Sequence, residues 1–288
     1  MNSEVDVYVR NLKAVQDELA RREAEHQAAV AHAMRAFVGG AKPLIGVADG
    51  DSWFDYPLPV LDPKDVRDSL TELGSPKPII LKLAYIGAAT TALLGVEKRN
   101  RLIAALKNPL NGPIDFIMFS GGGDDLVGNQ FRFWLRDASA AHGDALGGVD
   151  HELLADILGV VLAAYADLAQ IRQQYAPQAL LLVHAYDFAI PTGIGACPSV
   201  GPWLKPSLDD RGWTGLADGS DIVRQILIEF KQRLQAFCAT VPNAVLVDTQ
   251  GTLAADQWAN ELHPTPEGFR LIAEKFRAAL SFRFPGRI

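Results

Sequence analysis

The chain has 288 residues, 49% of them hydrophobic, which is enough for one large core, and α/β enzymes of this length are often a single domain. A net charge of −7 argues against the basic surface that a nucleic-acid or anionic-membrane partner would favour. The two cysteines, Cys197 and Cys238, are too few for a stapled secreted fold. The N-terminus lacks the basic start and apolar core of a signal peptide, and no apolar run reaches bilayer-spanning length, so the expected location is cytoplasmic with no membrane span.

From Val5 to about Phe37, apolar residues at helical spacing lie among Ala, Glu, Arg and Gln, and Gly39-Gly40 ends the pattern. Residues 1–40 read as an accessory helix that packs on the domain or mediates a homodimer, and residues 41–288 as the catalytic domain. Five apolar runs follow: Leu44 to Ala48, Ile79 to Leu83, Ile114 to Phe119, Ala179 to Val183 and Ala244 to Val247. Helices are expected over Lys64 to Leu73, Thr90 to Leu106, His151 to Tyr175, Asp221 to Thr240 and Thr265 to Phe282. The alternation is that of βαβ units, an α/β fold with a parallel sheet covered on both faces. A Pro/Gly/Trp-rich connection of residues 190–219, with Trp203 and Trp213, has the length of a lid or binding loop.

Ligands in such sheets collect outside the carboxyl ends of the strands. Gly50-Asp51-Ser52 follows the first run, Gly87 the second and Ser120 to Asp125 the third; His184 and Asp187 follow the fourth, and His263-Pro264 the fifth. A serine hydroxyl is a weak nucleophile until a base takes its proton, and His263 is the obvious supplier for Ser52.

These segments, in this order, resemble the SGNH (GDSL) hydrolases, serine esterases and lipases on a flavodoxin-like, five-stranded three-layer αβα fold. The resemblance implies Ser52 as nucleophile, His263 as base, and Gly87 and the residue at 124 as oxyanion donors beside the Ser52 N–H. It covers about Lys42 to the C-terminus, with two departures. Asp124 stands where the family has an asparagine donor; kept protonated in a dry pocket it can still donate, or it turns away and backbone N–H groups act alone. Asn260 stands where the family has the aspartate that orients the histidine; its carbonyl can accept from the ring but carries no charge. Asp256, Asp248, Glu261 and a backbone carbonyl are alternative partners for His263. One carboxylate gained and one lost preserve the charge of the site, with Asp124 acting on His263 through the pocket as the expectation. Asp125, His184, Trp203 and Trp213 are candidate pocket residues. The substrate implied is a small-molecule, glycan or lipid ester, cleaved without metal or cofactor.

Two rival readings use the same residues. Asp49-Gly50-Asp51 also resembles the opening of haloacid-dehalogenase-type magnesium-dependent phosphatases, with Asp124 and Asp125 on the metal and Thr90 or Thr91 with Lys98 or Lys107 on phosphate. It leaves His263 and the second half of the chain without a role. The other reading is an SGNH scaffold with weakened catalysis, against which the presence of both Ser52 and His263 counts.

Overall fold

The computed structural model describes residues 2–36, 42–56, 64–84, 95–197 and 200–288. Five strands, β1 (Ile45–Gly50), β2 (Ile79–Lys82), β3 (Phe116–Ser120), β4 (Leu180–His184) and β5 (Ala244–Val247), form one parallel sheet in the order β2-β1-β3-β4-β5. They fall on the five apolar runs and differ from them only at the ends. Every residue of β1, β3 and β4 is buried, which is why these strands read as unbroken apolar runs and not as alternating ones.

The described helices are α1 (Asn2–Ala36), α2 (Val66–Leu73), α3 (Val96–Lys107), α4 (Gly123–Leu126), α5 (His151–Tyr175), α6 (Lys205–Asp210), α7 (Leu216–Thr240) and α8 (Pro266–Arg283). α2 packs with α8 on one face of the sheet, and α5 packs with α3 and α7 on the other, giving three layers. Side-chain caps set several starts: Asp65 accepts from Asp68 N–H, Asp150 from Glu152 and Leu153 N–H, and Thr265 from Gly268 N–H ahead of Pro266. Residues 85–94 lie outside the description, so α3 is seen from Val96 only. α7 starts five residues before the expected Asp221, running through Gly219, whose missing side chain gives room to Leu208 and Pro191.

α5 is long and apolar enough by length and composition to cross a membrane, where the sequence promised no such run. In this fold its Leu154, Leu158, Val161, Tyr165 and Leu168 are part of the core. α1 lies along the edge strand β2 and buries Leu19, His26 and Val30, which covers a row of backbone groups that an exposed edge would leave unpaired. Its Arg22 donates to the Ala84 carbonyl (3.2 Å) and to Asp55 (3.1 Å). Asp55 also pairs with Lys82 (2.9 Å), which pairs with the buried Asp65 (2.7 Å). The N-terminal helix is thereby tied to the segment just after Ser52.

Candidate active site

β1 ends on Gly50 with φ 142°, and a Cβ there would stand 2.2 Å from the Ser120 carbonyl oxygen. Only glycine lets the chain turn this close to β3. Asp51 N–H then donates to that carbonyl (3.0 Å), Phe54 N–H to Asp51 O (3.1 Å), and Trp53 N–H to the Asp51 carboxylate (3.0 Å). The turn leaves Ser52 beside the crevice between β1 and β3, where the strand order reverses and ligands bind in sheets of this order.

Ser52 Oγ lies 2.7 Å from His263 Nε2. The loop carrying His263 is held to the serine turn by Trp53 Nε1–H, which donates to the Leu262 carbonyl (3.0 Å). His263 Nδ1 is 2.9 Å from Asn260 Oδ1, which also accepts the Leu262 and His263 backbone N–H groups, each at 3.0 Å. Two backbone donors require the amide oxygen, not its nitrogen, to face the ring. Nδ1 therefore carries the proton and Nε2 presents a lone pair to Ser52. Burial pushes the His263 pKa down to about 4, so the ring is neutral at pH 7. The rings of Tyr56 and Trp203 flank it at 4.7 and 5.5 Å.

Below Ser52 runs a buried polar chain. Tyr186 N–H donates to His184 Nδ1 (3.2 Å), leaving the proton on Nε2, which donates to Ser120 Oγ (2.9 Å). Ser120 donates to Asp51 (2.7 Å), and the Tyr186 hydroxyl donates to the other Asp51 oxygen while accepting from Gly123 N–H (3.0 Å). Tyr186 thus joins the serine turn to the turn that carries Asp124, and a Cβ on Gly123 would press within 2.8 Å of its ring. Burial, then the nearby charge of Asp124, raises the Asp51 carboxyl.

Asp124 shares with Ser52 a narrow cavity of about 50 Å³. Its Oδ2 is buried with no hydrogen-bond partner. Burial, then the neighbouring Asp125, pushes its pKa up to about 6 against the pull of Lys98.

No protein-family model matches the chain, and no curated protein matches it in sequence. Solved structures match in architecture. The lipase Lip_vut3 from a goat rumen metagenome aligns over 82% of this chain and 97% of its own at 16% identity, with TM-score 0.53. An extracellular lipase from Streptomyces rimosus aligns over 81% and 98% at 17% identity, with TM-score 0.51. The fold is that of the SGNH hydrolases. The chemistry rests on this chain's own residues.

Within the SGNH fold, Ser52, His263, Asn260, Asp51 and Asp124 come together, while Gly87 lies outside the described residues. Asp256 and Asp248 are exposed, and Asp248 pairs with Lys231 (2.7 Å), so neither partners His263. Glu261 turns the other way. Its carboxylate is fully buried and accepts the backbone N–H groups of Gly193, Trp203, Leu204 and Lys205 at 2.6–3.0 Å. The lid-like stretch 190–219 is correspondingly shorter: it holds α6 and the start of α7, and its irregular part is clamped by Glu261. Trp203 from this part stands over His263. Trp213 does not reach the site; it is buried, with its indole N–H on the Arg136 carbonyl (2.8 Å).

His184 and Asp125 are buried but do not line the cavity. Asp187 does, with its oxygens taken by the N–H groups of Phe188, Gly251, Thr252 and Leu253. The lowered His263 pKa has burial as its cause. The phosphatase arrangement does not fit the described residues, and its Thr90 and Thr91 lie outside them. Both Asp51 oxygens are occupied, and among the described residues no group of three or more His, Cys, Asp or Glu side chains is placed to hold a metal. Tyr186 and Glu261 are the residues whose site contacts went unforeseen.

Proposed function

We propose that the protein is a serine hydrolase of carboxylic esters working through an acyl-enzyme on Ser52. The observation that carries this reading is the 2.7 Å contact between Ser52 Oγ and the unprotonated Nε2 of His263, whose tautomer is held by Asn260. His263 takes the hydroxyl proton as Oγ attacks the ester carbonyl, and the resulting imidazolium returns that proton to the departing alkoxide. Water then attacks the acyl-enzyme, giving its proton to His263, and collapse releases the acid and restores the Ser52 hydroxyl.

The oxyanion forms beside the Ser52 N–H and Asp124. With its carboxyl raised by burial, Asp124 in the neutral form donates from the oxygen that otherwise lacks a partner, the task of the asparagine in the SGNH pattern. That solved neighbours of the same fold are lipases supports the reaction class. A fluorophosphonate probe in metal-free buffer, followed by peptide mapping, is expected to label Ser52, and Ser52→Ala to abolish both labelling and ester hydrolysis. Labelling elsewhere, or hydrolysis surviving Ser52→Ala, overturns the reading.

A further inference from the structure

The cavity beside Ser52 is apolar and small. Leu126 and Phe131 line it together with Val223 and Ile226 of α7; all four are buried. Leu204 lines it as well, its backbone N–H held at 2.7 Å by the buried Glu261 carboxylate. These walls are set by close packing and a multiply bonded anchor, so lengthening a guest requires displacing core side chains.

His263 does not line this cavity. The imidazolium must reach the leaving oxygen to protonate it, so the alcohol lies on the histidine side. The group entering this cavity is the one that stays on Ser52. An apolar cavity of about 150 Å³ holds a benzene ring, so the 50 Å³ available suits a guest of only a few carbons.

Resting on the serine-hydrolase reading, we infer that the enzyme is selective for short, unbranched acyl groups of about two to four carbons, with Val223 and Ile226 as the residues that set the limit. Acetyl to butyryl esters fill the cavity without strain. A longer chain either pushes against α7 or leaves methylenes in water, and in a hydrophobic pocket one methylene changes kcat/KM by about tenfold or more.

The test is a series of p-nitrophenyl esters from acetate to octanoate with the full chain, alongside Val223→Ala and Ile226→Ala. Wild-type kcat/KM is expected to peak between acetate and butyrate and to fall by about 100-fold or more at octanoate. Either truncation should move the peak toward longer chains by about two carbons. The wild-type series decides even where a truncation fails to fold. A wild-type peak at hexanoate or beyond, with Ser52 labelled by fluorophosphonate, overturns the chain-length inference and leaves the serine hydrolase standing. No hydrolysis of any ester, with Ser52 unlabelled, overturns both.

Discussion

Replacing Asn260 by aspartate tests how the histidine is held. Asn260 Oδ1 accepts three N–H donors, all of which a carboxylate oxygen accepts equally well. The amide nitrogen faces the Tyr56 hydroxyl at 3.3 Å, and that hydroxyl can turn to donate to the new oxygen. Packing is thus preserved and the main change is one negative charge beside Nδ1. An opposite charge at this distance raises a pKa by about 1–3 units, lifting His263 from about 4 to about 5–7. At 1.36 kcal/mol per unit, the imidazolium gains about 1.4–4 kcal/mol, which caps the acceleration of the fully active form at about 10–1000-fold. The neutral ring is the base, so the acid limb of kcat/KM against pH, near 4 in the wild type, should move up by about 1–3 units. An unmoved acid limb in a variant of unchanged melting temperature refutes the reasoning. Asn260→Leu should lose about 10⁴ in turnover, the magnitude seen when a serine protease histidine is left in the wrong tautomer.

Asp124 acts as donor only when protonated, so wild-type activity should fall as pH rises through about 6. Asp124→Asn donates at every pH and should remove that fall, gaining up to about 100-fold at pH 8; an unchanged pH profile refutes it. Glu261→Gln gives four backbone donors an amide whose nitrogen repels two of them, costing about 2–3 kcal/mol, and should speed limited proteolysis between residues 193 and 205. Asp49 is buried and raised to about 6. Its folded pKa exceeds the unfolded one, so its contribution is full below about pH 4 and is lost as pH rises through about 6. Asp49→Asn keeps the acceptor for Gly50 N–H and should be more stable than wild type at pH 8, by at most about 3 kcal/mol, in denaturant titrations that show little difference at pH 4.

What was legible in the chain was what short-range chemistry dictates. Strands buried on both faces are continuous apolar runs, and tight turns after them demand glycine, so β1, β3 and β4 with Gly50 and Gly122 announced the sheet and its crevice. Pro266 behind a capping threonine announced α8. Glu261 was visible only as a carboxylate near His263; its partners stand 56 to 68 residues away, and no local pattern distinguishes a loop clamp from a catalytic acid. Tyr186 meets Asp51 across 135 residues of sequence. Its one signal was the accumulation of polar residues where β4 should end in apolar ones.

The two departures from the SGNH pattern make sense together through protons. Without a carboxylate beside it, His263 stays neutral down to about pH 4; Asp124 stays a donor up to about pH 6. The pair leaves a working window between these values. Asn260→Asp alone raises the lower limb toward the upper one and closes the window, so its observed peak should be narrow even though its histidine is the better base. Asp124→Asn alone opens the alkaline side. The double variant has a charged orienting group and a pH-independent donor, and should show a broad plateau from about pH 7 upward at a rate above either single variant. If the double variant is no faster at pH 8 than Asp124→Asn, the histidine gains nothing from the carboxylate, and the neutral amide at 260 is not what limits this base.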